Sequence, residues 1–283
     1  MSGRRTDGRS AGIWLLAALL SVTPSARLPA QVAHNRATAY LHPTDVRDAR
    51  ALWVNPAGLG VLREASVYAE IAVSDPGARG RLSQVSAGFN ARGLALGYQR
   101  DVLDAGGRGH TYRLGIAGSA AQLAAGMAIA YYRGDGTKGT GWDVGATYGW
   151  FGGLTVGGVI RNLGQPVVRG IRQRLTFVPG ATWHPTALPA AGLSMHARVT
   201  PDSVAAYAFG LSWRTGTDQS RWPLEIIARL DTDGGLRRGA FVLGLSIGHQ
   251  DRVGAVASSP GDASSIDNVS LYGLATREPK KRR

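Results

Sequence analysis

Six histidines, at positions 34, 42, 110, 184, 196 and 249, and a complete absence of cysteine bound the chemistry open to this chain. No two histidines stand at ligand spacing and there is no His-Glu-x-x-His or carboxylate cluster, so no metal site is expected. Without cysteine there are no disulfides, thiolate nucleophiles or Cys-based metal sites. No Gly-x-Ser-x-Gly elbow or Walker loop occurs. The glycine pairs Gly152-Gly153 and Gly157-Gly158 have no helix after them to bind a phosphate. Ser194 and His196 are two apart and share one face of a strand, the nearest approach to a hydrolytic pair. A polar pair facing an interior explains them better. The chain is expected not to be an enzyme and to hold no cofactor.

Charge carries more. Glu70, Asn90, Arg113, Asp143, Arg161, His196, Arg198, Arg214, Glu225 and Arg229 each fall at the polar positions of an alternating run. In a barrel they would face the lumen. One reading is a polar interior whose charges pair with one another. The other is a basic constriction that favours anions, because five arginines outnumber three acids.

The elements that would position these residues announce themselves at Gly141–Trp150. Every even position there is apolar or aromatic and every odd one is Gly, Asp or Thr. Successive side chains of a strand point to opposite faces, so this run has one apolar and one small or polar face, with Trp142 and Trp150 at its two ends. That is the profile of a strand crossing a bilayer, with aromatic rings at the two interfaces. Arginine at Val144 or Ala146 would then enter lipid, whereas arginine at Gly145 would enter the lumen. Period-2 runs recur from residue 65 to 275, parted by turns such as Asp75-Pro76-Gly77, Asn90 to Gly93, the loop 134–139, and 231–235. Pro179 reads as a bulge or bend. The runs predict about 14 strands in an all-β, antiparallel up-and-down transmembrane barrel, since closure removes exposed edges. A soluble β-sandwich or large antiparallel barrel is the alternative. A helix is expected only in the first 30 residues and around 44–52.

Composition agrees. Gly numbers 40 of 283, which suits tight hairpins and closely packed strands, charged residues are 18%, and hydrophobic residues are an ordinary 44%, as expected where half of the strand residues face a polar lumen. The net charge is +13, with four arginines against one aspartate in residues 1–30 and five basic residues against one glutamate in 277–283. Charge concentrated at the termini does not make a nucleic-acid groove. Residues 1–30 combine arginines, the apolar run 11–20, Pro24 and small residues at Ala26 and Ala30. They read as a secretory signal peptide cleaved after Ala30 or Ala26. The expected layout is therefore a signal peptide at 1–30, a hatch-like segment at 31–64, a barrel at 65–275 and a basic tail at 276–283.

Residues 31–60 do not alternate, and they end in Trp53-Val54-Asn55-Pro56-Ala57-Gly58-Leu59-Gly60. By itself Asn55-Pro56-Ala57-Gly58 is a turn. Placed after an export signal and before a strand meander, it resembles the N-terminal element of outer-membrane barrels of the long-chain fatty acid transporter (FadL) type and of the PorV/PorQ type. The Asn162-Leu163-Gly164 strand end also looks like one that recurs in PorV-like chains. The resemblance implies a cell outer-membrane barrel with residues 31–60 as an internal hatch. Its function would be a passive conduit for small or hydrophobic molecules, or alternatively a scaffold on which secreted or surface proteins dock. The implied partners are outer-membrane lipids, the barrel-assembly machinery, and small hydrophobic ligands or a secreted protein. No ligand-pocket motif matches residue by residue, so fatty-acid specificity is not carried over.

Overall fold

In the computed structural model, the described residues run from 38 to 277, apart from 39, 63, 78–79, 103–106, 135, 169, 202, 216–221 and 261–264. The signal peptide with its cleavage site, and the tail beyond 277, lie outside them. Fourteen antiparallel strands close into one barrel: β1 (Ala65–Ser74), β2 (Arg81–Ala91), β3 (Leu94–Val102), β4 (Arg108–Ala120), β5 (Leu123–Gly134), β6 (Thr137–Gly149), β7 (Leu154–Leu163), β10 (Thr176–Trp183), β11 (Ala191–Thr200), β12 (Ser203–Thr215), β13 (Leu224–Asp233), β14 (Arg238–Gly248), β15 (Asp251–Pro260) and β16 (Asn268–Arg277). Each pairs with its neighbour in the chain, and β1 closes on β16 from Ala65↔Arg277 to Ser74↔Asn268. A small hairpin, β8 (Val167–Val168) with β9 (Ile171–Arg172), rides on the connection between β7 and β10. The alternation did not announce it, because two-residue strands are too short to show a period.

The two faces of the wall differ as the period-2 reading requires. On β6, Trp142, Val144, Ala146 and Tyr148 point outward, while Gly141, Asp143, Gly145 and Thr147 are buried inward. Exposed Val67, Ile71, Leu96, Leu114, Leu211, Leu243 and Leu245 continue the outer apolar band around the barrel. Outward aromatics gather toward both strand ends. Tyr98, Tyr112 and Tyr131 are cross-strand neighbours at one level, and Trp142 and Phe241 also lie in the half of their strands nearer that end. Trp150, Trp183, Trp213 and Trp222 stand at the other end, beside the turns that share the rim with the chain's first and last strand residues. An apolar band between two aromatic girdles is the surface of a barrel in lipid.

Local chemistry shapes the turns. Arg92 and Gly93, at φ 54° and 97°, make the two-residue connection between β2 and β3 with both residues in the left-handed region, the geometry that matches strand twist. The loop expected over 134–139 is only residues 135–136, because β5 and β6 extend to Gly134 and from Thr137. Pro179 makes no bulge. Its strand keeps an unbroken register with β7, and only two ladder positions toward β11 are skipped, with the register the same on both sides. A proline donates no N–H, so the ladder thins there without shifting. A register shift lies one strand over, between Arg198 and Val199.

Residues 40–62 fill the inside. The helix expected over 44–52 is a single turn, α1 (Ala51–Val54), followed by the 3-10 turn Pro56–Gly60. Both are fully buried, and with Tyr40, Leu41, Val46 and Ala49 they form the apolar core against the wall residues Tyr68, Ala95, Ala128, Val242, Val256 and Tyr272. The core of this molecule is thus the contact between an N-terminal plug and the barrel that encloses it.

Candidate functional site

The plug begins at Tyr40, which stacks on Tyr272 at 6.0 Å between ring centroids. Its hydroxyl accepts from Arg50, whose guanidinium also makes a bidentate pair with Asp48 at 2.7 and 2.9 Å. Burial works against ionising Asp48, but Arg50 beside it holds the carboxyl below its usual range. Asp45 behaves likewise: His184 bonds it at 3.0 Å and keeps it ionised, and that bond in turn raises the histidine. Thr44 Oγ1 meets Thr182 Oγ1 at 2.7 Å, and Ala49 N–H donates to Ser66 Oγ at 2.8 Å. His42 packs edge-on against His196 with their Nδ1 atoms 2.9 Å apart. Burial, aided by the charge of Arg229, lowers the His42 pKa to about 3, so the ring is neutral and the pair shares one proton between two nitrogens.

The Asn55-Pro56-Ala57-Gly58 element is the pivot of the plug. Asn55 Oδ1 accepts from Ala57 N–H at 3.1 Å and caps the 3-10 turn, with Pro56 in the first position, where its missing N–H costs nothing. Asn55 Nδ2 donates to the Pro43 carbonyl at 2.8 Å, tying the two halves of the plug together. A Cβ on Gly58 would run into the Val46 carbonyl.

The wall is cut to fit. A Cβ on Gly97 would stand 2.7 Å from Leu52 Cδ2, one on Gly115 2.6 Å from Leu52 Cδ1, and one on Gly180 3.1 Å from Pro43 Cγ. On Gly145 and Gly210 it would overlap Asn55 Oδ1 and His42 Nε2. These inward glycines, one per strand over much of the circumference, are where plug atoms touch the wall backbone. Sequence reasoning explained glycine by hairpins and missed this role. The readable signal was glycine recurring in the inward phase of strand after strand.

The charges identified from sequence fall as follows. Arg113 donates to Asp143 at 2.8 Å and to the Leu52 carbonyl at 2.9 Å, and lies 5.2 Å from the Trp53 ring. Arg161 donates to the Val54 carbonyl. Arg229 donates to the Leu41 carbonyl at 3.0 Å and to Asp231 at 2.6 Å. Arginines from three strands thus bond plug carbonyls, two of them at the C-terminal end of α1, where carbonyls lack helical partners. Glu225 accepts from Arg252 at 3.0 Å, and Glu70 accepts from Ser86 at 2.9 Å. Asn90 donates to the Leu59 carbonyl at 3.3 Å. Arg214 lines a cavity of about 350 Å³ at the rim that holds Leu62 and Glu64, together with Arg47, His184, His249 and Arg252. Arg198 is inward and half-buried. Ser194 bonds Thr182 at 2.9 Å, and His196 bonds His42, so the two are not assembled as a hydrolytic pair.

No protein-family model and no curated protein matches the chain. Solved structures do. Over 76% of this chain and 99% of its own, outer membrane protein Omp33 of Acinetobacter baumannii superposes with a TM-score of 0.45 at 10% identity. A bacterial polysaccharide outer membrane secretin gives 0.47 at 10% identity over 78% and 100%. A mutant of the Rh. blastica porin gives 0.41 at 9% identity over 76% and 99%. None of these three reaches a TM-score of 0.5.

Proposed function

We propose that the protein is an outer-membrane barrel working as a conduit for small molecules that its own N-terminal segment closes from within. The observation that carries this reading is the plug's attachment. It is held by non-covalent bonds from Arg113, Arg161 and Arg229 to its backbone carbonyls, inside a wall whose glycines fit its contour. Water can replace each of those bonds, so the closed form can open without breaking the wall. The apolar outer band and its two aromatic girdles support a place in lipid, with membrane lipids and the assembly machinery as partners. The order of parts, with an Asn-Pro-Ala-Gly element ahead of the strands, resembles the FadL type and supports the hatch. Deleting residues 33–60 tests it: the barrel should still insert into liposomes and should conduct more than the intact chain.

The filled interior favours a second reading, a permanently closed docking barrel of the PorV-like kind. Under it the intact chain would never conduct, so that only the deletion would open the lumen, and a secreted or surface protein would be the partner.

A further inference from the structure

We propose that the barrel interior binds a small oxyanion, the carboxylate or phosphate group of a diffusible molecule, between Arg198 and its neighbours Arg161 and Arg229. The three arginines point inward from β11, β7 and β13, with one strand between each neighbouring pair. Arg161 feels the charge of both others, and Arg198 that of Arg229 and of Asp231. Counter-charge is short. Asp143 is bonded to Arg113 and Asp231 to Arg229, which leaves two acids against four cations. The nearby histidine pair adds no negative charge.

Two donors are unfilled. Arg198 makes no hydrogen bond to any described residue, and Arg161 Nε is buried without a partner although its terminal nitrogen holds the Val54 carbonyl. Desolvated like charges repel strongly where the dielectric is low, and a bound anion removes that cost. A guanidinium fork matches two oxygens of a carboxylate or phosphate, which gives the site shape as well as charge. Because Arg161 and Arg229 also hold plug carbonyls, an anion shared with them would brace the closed form. The inference rests on the plugged interior and is independent of whether the barrel ever conducts.

The test is calorimetric titration and thermal melting of the full-length protein in detergent, with sodium phosphate, sodium acetate and, at matched ionic strength, sodium chloride. At least one oxyanion should bind saturably and raise the melting temperature where chloride does not. Saturation by acetate points to a carboxylate-bearing ligand, and saturation by phosphate alone to a phosphate-bearing one. Arg198→Gln should weaken binding at least tenfold, with Arg198→Met as a second variant. Arg214→Gln, which changes an inward arginine at the opposite end of the wall, should bind as the unaltered chain does. If neither oxyanion exceeds chloride on the unaltered protein, or if both Arg198 variants bind as well as it does, the proposal is overturned. Binding is read without conductance, so a failed conductance experiment does not touch this result.

Discussion

Asn55 and His42 carry much of the plug's specificity, each through buried hydrogen bonds. Asn55→Ala removes the cap on Ala57 N–H and strands the Pro43 carbonyl. A buried polar group left unpaired costs about 1–3 kcal/mol, so the variant's plug should be cleaved by protease faster while the barrel itself resists as before. His42 works through its neutral form. Its folded pKa of about 3 lies below the ordinary 6.5. Between those values the released ring takes up a proton that the docked ring does not. The His42 contribution to docking should therefore be constant above pH 6.5 and weaken as pH falls toward 3. Protease sensitivity of the plug measured from pH 7.5 to pH 5 should rise, and His42→Asn should flatten that rise. His184 acts in the opposite sense, since its pKa is raised by Asp45, and its contribution is present below the ordinary value and fades as pH climbs through the raised one.

At the scale of the element, the strands were legible from their own alternation and the plug only through a resemblance, for one physical reason. A strand in lipid must separate apolar from polar side chains every second residue, so Trp142, Val144, Ala146 and Tyr148 declare their face whatever lies inside. The plug has no such period. Most of its residues from Leu41 to Gly60 are buried by a wall assembled from strands far along the chain, and only the turn at Asn55 marked it. Because Pro179 thins a ladder without shifting it, even a correct reading of proline chemistry left the actual register shifts, after Ala72, Trp142, Arg198 and Asp231, unseen. The phase of β6 is open to direct trial. Val144→Arg or Ala146→Arg should cost about 2–4 kcal/mol of folding stability in lipid vesicles. Gly145 does not face the open lumen expected from sequence, because Asn55 occupies the space. Gly145→Arg should fold into a barrel of near-native stability but expel the plug, which protease digestion of 31–60 would register. Equal loss of stability from all three would contradict the assigned faces.

For the whole molecule, closure of the sheet satisfies the wall's backbone, and enclosure of residues 40–62 gives three of its interior arginines carbonyl partners. The expectation of an anion-selective lumen took the five arginines as free. Three of them are instead bonded to plug carbonyls, which is a property of the packed chain and not of any strand. The measurement that bears most directly on the account uses the absence of cysteine. Thr44 of the plug and Thr182 of β10 have hydroxyl oxygens 2.7 Å apart, close enough for a disulfide after double replacement. Thr44→Cys with Thr182→Cys, inserted in liposomes and oxidised, should give a loop-closed species by non-reducing electrophoresis, with conductance lower than after reduction. Failure of the two cysteines to join under oxidation that links exposed pairs would contradict a plug seated inside the barrel.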